Sequence, residues 1–180
     1  MGRSVADFDD VADPEDAGNV DVLQFAEFMR ATKVPPRDPV VAASTAARAG
    51  STLFDQIGCN ICHTRNITTA PAGTRINGGT FTVPAALGNK IIHPFSDYLL
   101  HDVGTGDGIV QNGGQSTANK LRTMPLWGTR TRSRHMHDGQ SLTYLDAILR
   151  HAGEAKGVTD SFRSLSVSQQ DQIVAFLQSL

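Results

Sequence analysis

Cys59-Asn60-Ile61-Cys62-His63 sets two thiols three residues apart with an imidazole directly after the second. This C-x-x-C-H arrangement is the attachment site of a c-type haem. Each sulfur can add to one porphyrin vinyl group, and the imidazole can ligate the iron. The three side chains span little more than one helical turn, so one short segment holds the macrocycle at two edges and at its centre. The chain has 2 cysteines in all, and both lie here. A closed structural zinc site would draw four ligands, usually from a second C-x-x-C or a paired histidine motif, and no second cysteine pair exists. A thioredoxin-like redox pair needs a βαβ setting, whereas this neighbourhood reads as helical and glycine-rich. Haem c is the reading that remains.

With His63 on the iron, one axial position is still to be filled. The candidates are His93, His101, His135, His137 and His151, together with Met29, Met124 and Met136. Met124 lies in Thr123-Met124-Pro125-Leu126-Trp127, which resembles the methionine loop of small cytochromes c; methionine also fills gaps in ordinary cores. His151 continues a helical face bearing Leu145 and Ile148, but a histidine also suits a helix C-terminus because of the dipole there. The residues by themselves leave both open. Trp127 is a candidate to pack on the porphyrin. Arg122, Arg130, Arg132 and Arg134 are candidate propionate partners, since guanidinium pairs well with carboxylate, or form a solvated basic stretch. His137 could bond a propionate or a backbone carbonyl, or serve the structure alone.

These residues need elements to position them. Residues 1–18 are rich in Asp, Pro and Gly and read as a loosely packed lead-in. Val22, Phe25, Ala26, Phe28 and Met29 predict a helix from Asn19 to about Lys33, stopped by Pro35 and Pro36. Pro39 to Gly58 reads as one further helix running into the haem motif, with Gly50 weakening its middle. Asn77-Gly78-Gly79 between short β-leaning pieces suggests an irregular hairpin, and residues 103–118 a loop. A helix is expected over 141–151, closed by Gly153. A last one begins at Ser166, where Ser166 and Gln169 have capping-box form. The expected organisation is a lead-in and helix over 1–37 and a haem domain over 38–180. The expected fold is all-α and class I cytochrome c-like, with long loops and a short hairpin.

The chain of 180 residues suits one domain with an extension. Its net charge of −2 is scattered, which argues against nucleic acid or an anionic membrane as partner. No apolar run approaches the ~18–20 residues that span a bilayer. The 17 glycines fit a loop-rich domain organised around a large apolar cofactor. Covalent haem attachment implies a periplasmic or otherwise extracytoplasmic location, yet Met1-Gly2-Arg3-Ser4-Val5-Ala6-Asp7 opens no signal-peptide apolar stretch. The expectation is therefore a mature segment or fragment.

Arg122 to Gly128, His137-Asp138-Gly139 and Leu142 to His151 together resemble the C-terminal haem domain of the bacterial dihaem oxidoreductases. These thiol oxidoreductase-like, peroxidase-like proteins are relatives of the dihaem cytochrome c peroxidases. Tyr98 to Gly104 and the tail from Ile173 to Leu180 share the likeness, which runs from about Asn19 to the end. In that superfamily the distal ligand follows the H-D-G histidine by fourteen residues, and counting from His137 reaches His151. The resemblance thus implies a bis-histidine iron, His63 and His151, and makes Met124 a residue of the loop lining the haem. Two differences stand out. Arg134-His135-Met136 precedes H-D-G where the family carries an apolar residue and a proline, and this chain has one C-x-x-C-H where the family has two haems.

The function these readings imply is a single covalent haem c that relays electrons one at a time to or from a second haem domain or a redox partner protein. The alternatives are a peroxidase-type catalytic haem, a free-standing His/Met carrier using Met124, and a haem domain that serves only as an interaction module.

Overall fold

The computed structural model describes residues 21–180. The expected lead-in over 1–18 lies outside them. The chain divides into two compact units, Met1–Pro35 and Pro36–Leu180. In the first, α1 (Asp21–Ala31) carries Leu23, Phe25, Phe28 and Met29 exposed, with the Phe25 and Phe28 rings 6.4 Å apart.

The second unit begins with two helices where the sequence suggested one. Asp38 caps α2 (Pro39–Ala43) by accepting from the Val40 and Val41 amides, with Pro39 in the first turn where its missing N–H costs nothing. Ser44 then turns extended (ψ 150°), ends α2 and caps α3 (Thr45–Gln56) through the Ala47 amide. A side chain that satisfies an orphan helix amide makes such a break inexpensive. Towards the C-terminus come α4 (Tyr144–Leu149), α5 (Lys156–Ser164) and α6 (Val167–Gln178). The capping box at Ser166 and Gln169 is formed as expected. The helix expected over 141–151 is shorter, because Ser141 pairs with His135 in a β-bridge and Thr143 becomes the cap. Arg150, not Gly153, closes it.

The core lies between α3 and α6, with Phe54, Phe95, Phe162, Ile173, Phe176, Leu177 and Leu180 as its buried members. Phe54 and Phe176 meet edge-on at 5.3 Å, and Phe95 meets Phe176 at 5.8 Å, the tilted arrangement aromatic quadrupoles favour. Gly50 is the crossing point. A Cβ there would lie 1.8 Å from the Gln172 carbonyl oxygen, so only glycine lets the two backbones approach this closely. The residue that weakens α3 by propensity is what allows α3 to dock.

The all-α, class I cytochrome c-like expectation is corrected by the segment between the helices. It contains three antiparallel two-stranded ladders: β1 (Ile67–Thr68) with β4 (Ile91–Ile92), β2 (Arg75–Ile76) with β3 (Phe81–Thr82), and β5 (Leu100–His101) with β6 (Leu121–Arg122). The fold is mixed α and β with small sheets. Strands of two residues are too short to display a period of two, which is why their composition did not reveal them. The turn at Asn77-Gly78-Gly79 does join a hairpin, though Ile91–Ile92 pairs elsewhere.

Candidate haem site

His63 is delivered by the end of α3. Gly58, at φ +94°, turns the chain into a 3-10 turn over Cys59–Ile61, and the His63 amide donates to the Cys59 carbonyl at 3.0 Å. A facing segment locks this turn: the Asp97 amide donates to the Cys62 carbonyl (2.8 Å) and the Ser96 amide to that of Thr64 (3.0 Å). Phe95, held at φ +53°, presents its carbonyl oxygen 2.9 Å from His63 Nδ1. A carbonyl can only accept, so Nδ1 carries the proton and the lone pair lies on Nε2, the atom a metal would take. The Phe54 ring stands 6.3 Å from the imidazole.

Burial pushes the His63 pKa down to about 4, against the opposing Phe95 bond, and the nearby His151 lowers it further. The imidazole is therefore neutral at ordinary pH, as a ligand must be. Burial also lifts the Cys59 thiol to about 12. The Cys62 thiol is raised by burial and then by the charges of Asp97 and Glu154.

His151 is built the same way by other elements. It follows α4, and its Nδ1 donates to the Ala147 carbonyl at 2.8 Å, again leaving Nε2 for a metal. Burial lowers its pKa too. The chain beyond it is stapled to the loop after β5: the Ala152 amide donates to Val103 (2.9 Å), and the Glu154 amide to Asp102 (2.8 Å). Gly153 between them has φ +53°, and a Cβ there would lie 2.4 Å from the Asp102 oxygen. The buried Thr159 hydroxyl donates to the His151 carbonyl at 2.9 Å. Arg150 grips Asp138 of the H-D-G motif at 2.5 and 3.1 Å and also donates to Ser141 (2.9 Å). That pair holds the Asp138 carboxyl down at about 2.

The other expected residues are placed as follows. Met124 is half exposed, on a loop fixed by the Thr123 amide to Leu99, Leu126 to Pro94 and Gly128 to Leu180. Trp127 on the same loop is half-buried, and Arg122 is exposed. Arg130 donates to the Pro36 carbonyl and Arg134 to that of Gly139, while Arg132 is exposed. His137 is exposed and bonds Asp107 at 2.7 Å. His93 bonds Asn66, and His135 lies on Tyr144 with ring centroids 4.6 Å apart.

Sequence reasoning missed several residues. The Phe95 carbonyl left no signal in the sequence. Arg65, 5.2–5.6 Å over the Phe54, Phe95 and Phe176 rings and bonded to Asp55, caps the core beside His63. Asp97 and Glu154 bracket His101 at 2.8 and 2.9 Å. Only the Asp138–Arg150 clamp had a visible signal, because both partners lie in the motifs that flank His151.

The residues fit a haem. Two free thiols sit at the required spacing, and two buried imidazoles, His151 acting on the titration of His63, both have Nδ1 committed to backbone. A family model described as "Di-haem oxidoreductase, putative peroxidase" matches residues 2–180. No curated protein sequence matches. Among solved structures, Kuenenia stuttgartiensis hydrazine synthase, pressurised with xenon, is similar at a TM-score of 0.53 and 20% identity. The match covers 85% of this chain and 52% of that one, so the chain spans about half the length of that structure. At this identity the likeness concerns the fold.

Proposed function

The chain belongs to the di-haem oxidoreductase family, and on that premise we propose that it carries one covalent haem c in a closed bis-histidine site and relays single electrons. The observation that carries this reading is the matched setting of His63 and His151, each with Nδ1–H on a backbone carbonyl and Nε2 unused. When bound, the haem supplies a one-electron couple whose potential follows from its axial ligands. Cys59 and Cys62 anchor the group through thioethers. His63 and His151 would hold the iron, and the Phe95 and Ala147 carbonyls keep the proton on each Nδ1, which fixes ring orientation and would raise ligand basicity. His63 and His151 would together hold the iron and leave peroxide no protein-free ligand position, which favours a unit that would feed or drain the family's other haem. Covalent attachment makes the working compartment periplasmic or otherwise extracytoplasmic. Among the described residues no helix is long and apolar enough to cross a membrane.

The test is the ferric spectrum of the haem-loaded chain and of two variants. The wild type is expected to be low-spin, His151→Ala high-spin, and Met124→Ala unchanged. A high-spin wild type would instead support a peroxidase-type centre. A far-red methionine–iron band that disappears in Met124→Ala would support a His/Met carrier.

A further inference from the structure

We propose that His101 is the proton partner of the relay: it takes up one solvent proton when the haem gains an electron and releases it when the electron leaves. The inference rests on the haem reading above and adds a proton to what that site carries. His101 belongs neither to the C-x-x-C-H motif nor to the iron's ligands, yet the fold sets it at the cofactor's edge. The Cys62 sulfur lies within 4.8 Å of a His101 ring nitrogen and of an Asp97 carboxylate oxygen. As a thioether, that sulfur leads to the porphyrin ring in two bonds. The Asp97 amide bonds the Cys62 carbonyl at 2.8 Å, and Glu154 follows His151 by three residues. The two partners of the His101 ring thus come from the two segments that carry the iron's ligands.

Both ring nitrogens face carboxylates. Nε2 stands 2.8 Å from Asp97 Oδ2, and Nδ1 stands 2.9 Å from Glu154 Oε2. An ionised carboxylate can only accept, so both contacts are hydrogen bonds only while the ring carries two N–H groups, as imidazolium. The carboxylates are ionised. The His101 bond, then the Asp102 amide, hold Glu154 down at about 2. Burial raises Asp97, but the Leu99 amide, His101 and Thr123 outweigh it and leave the group below its usual value. A neutral ring would turn one lone pair onto a carboxylate oxygen. The His101 pKa is accordingly raised, first by Glu154, then against burial by Asp97. The other charges around the cluster are Lys120, 3.5 Å from Glu154, Asp102, whose carboxylate accepts from the Gly104 amide, and exposed Arg122 on β6.

Reduction removes one positive charge from the iron and porphyrin beside this cluster. His101 then holds its proton more tightly, because a like charge nearby has gone. The step balances: a one-electron donor gives its electron to the iron, and a proton leaves solvent water to form the His101 Nδ1–H bond. Nδ1 is the port, since Glu154 is 45% exposed and Asp97 only 14%. The ring need not move, for His101 lies on β5, pinned by its ladder with β6.

The test is a potentiometric titration of the haem-loaded full chain over a range of pH, with absorption recorded in both oxidation states. In the wild type the midpoint should fall within one pH window by up to ~59 mV for each tenfold drop in proton activity, and stay level on either side. Nitrogen NMR of the His101 ring should place its titration higher in the ferrous than in the ferric chain. His101→Gln should flatten the midpoint while the haem stays low-spin. Glu154→Gln, a change at a half-exposed side chain, should move the window to lower pH, because it takes away the carboxylate that most favours the imidazolium. A slope retained in His101→Gln, a window unmoved in Glu154→Gln, or equal His101 titration in the two oxidation states would overturn the proposal. A low-spin wild type with a level midpoint defeats this inference alone, whereas a high-spin wild type defeats the bis-histidine reading on which it stands.

Discussion

His63 and His151 present the same donor atom through the same kind of bond, yet the matter behind them differs. Behind His63 stand Phe54 and Phe95, members of the α3–α6 core at 2% and 5% exposure. Behind His151 stand charges: Asp138 on Arg150 just before it, and Glu154 between His101 and Lys120 just after it. The His63 imidazole is positioned by close packing, which acts over contact distance and is indifferent to salt. The other is positioned by ion pairs and backbone staples at the surface, where Coulomb energy is small and screened. The His63 side should thus be rigid, and the His151 side is where conditions can loosen the candidate site.

The largest effect expected is Phe54→Ala. Emptying this position beside His63 should cost about 3–5 kcal/mol, a large share of a domain's total stability; chemical denaturation of the haem-loaded chain measures it. A loss below about 1 kcal/mol would break the contrast, because the His63 side would then not depend on packing. Gly153→Ala comes next. It combines positive φ with a near-collision with Asp102, a strain of about 1–3 kcal/mol, and should raise the high-spin fraction while the thioethers stay intact.

Asp138→Asn removes the acceptor of the Arg150 clamp and should loosen His151 without unfolding the core. A mixed-spin spectrum with a nearly unchanged unfolding midpoint is the expected pair of readings. Its pH dependence sharpens the point. The Asp138 carboxyl is lowered in the fold to about 2 from 3.8, so its contribution is present above the unfolded value and disappears as pH falls towards about 2. The difference in spin state between wild type and Asp138→Asn should therefore be full at pH 5 and close as acid is added. The smallest effect is that of salt. Raising ionic strength from ~0.1 to ~1 M shortens the screening length from ~10 to ~3 Å, which should shift the His151 spin equilibrium slightly and leave the Phe54→Ala deficit unchanged.

Features that depend on near neighbours were legible in the sequence. The C-x-x-C-H spacing, the Ser166–Gln169 capping box and the Asn77-Gly78-Gly79 hairpin turn each involve residues a few positions apart, where covalent geometry does most of the specifying. Features that depend on distant approach were not. Ser44 divides an apparent single helix because its hydroxyl can cap the next one. Gly50 read as a weak point and is the close contact between α3 and α6. Helix α5 went unnoticed beyond Gly153, and β5 with β6 consists of two-residue strands that only their partner defines.

The sequence by itself determined which atoms can take a porphyrin and an iron, because that chemistry is set by residue type and short spacing. It also argued against a closed zinc site, since no second cysteine pair exists. Only the tertiary structure decided that Phe95 and Ala147 would turn both imidazoles the same way. Only it brought Asp97 and His101 to Cys62, across a span of 35 to 39 residues (97 − 62 and 101 − 62). Local spacing cannot encode such meetings. They arise when the loop between the helices folds back and its buried amides and carbonyls find partners wherever the chain brings them close.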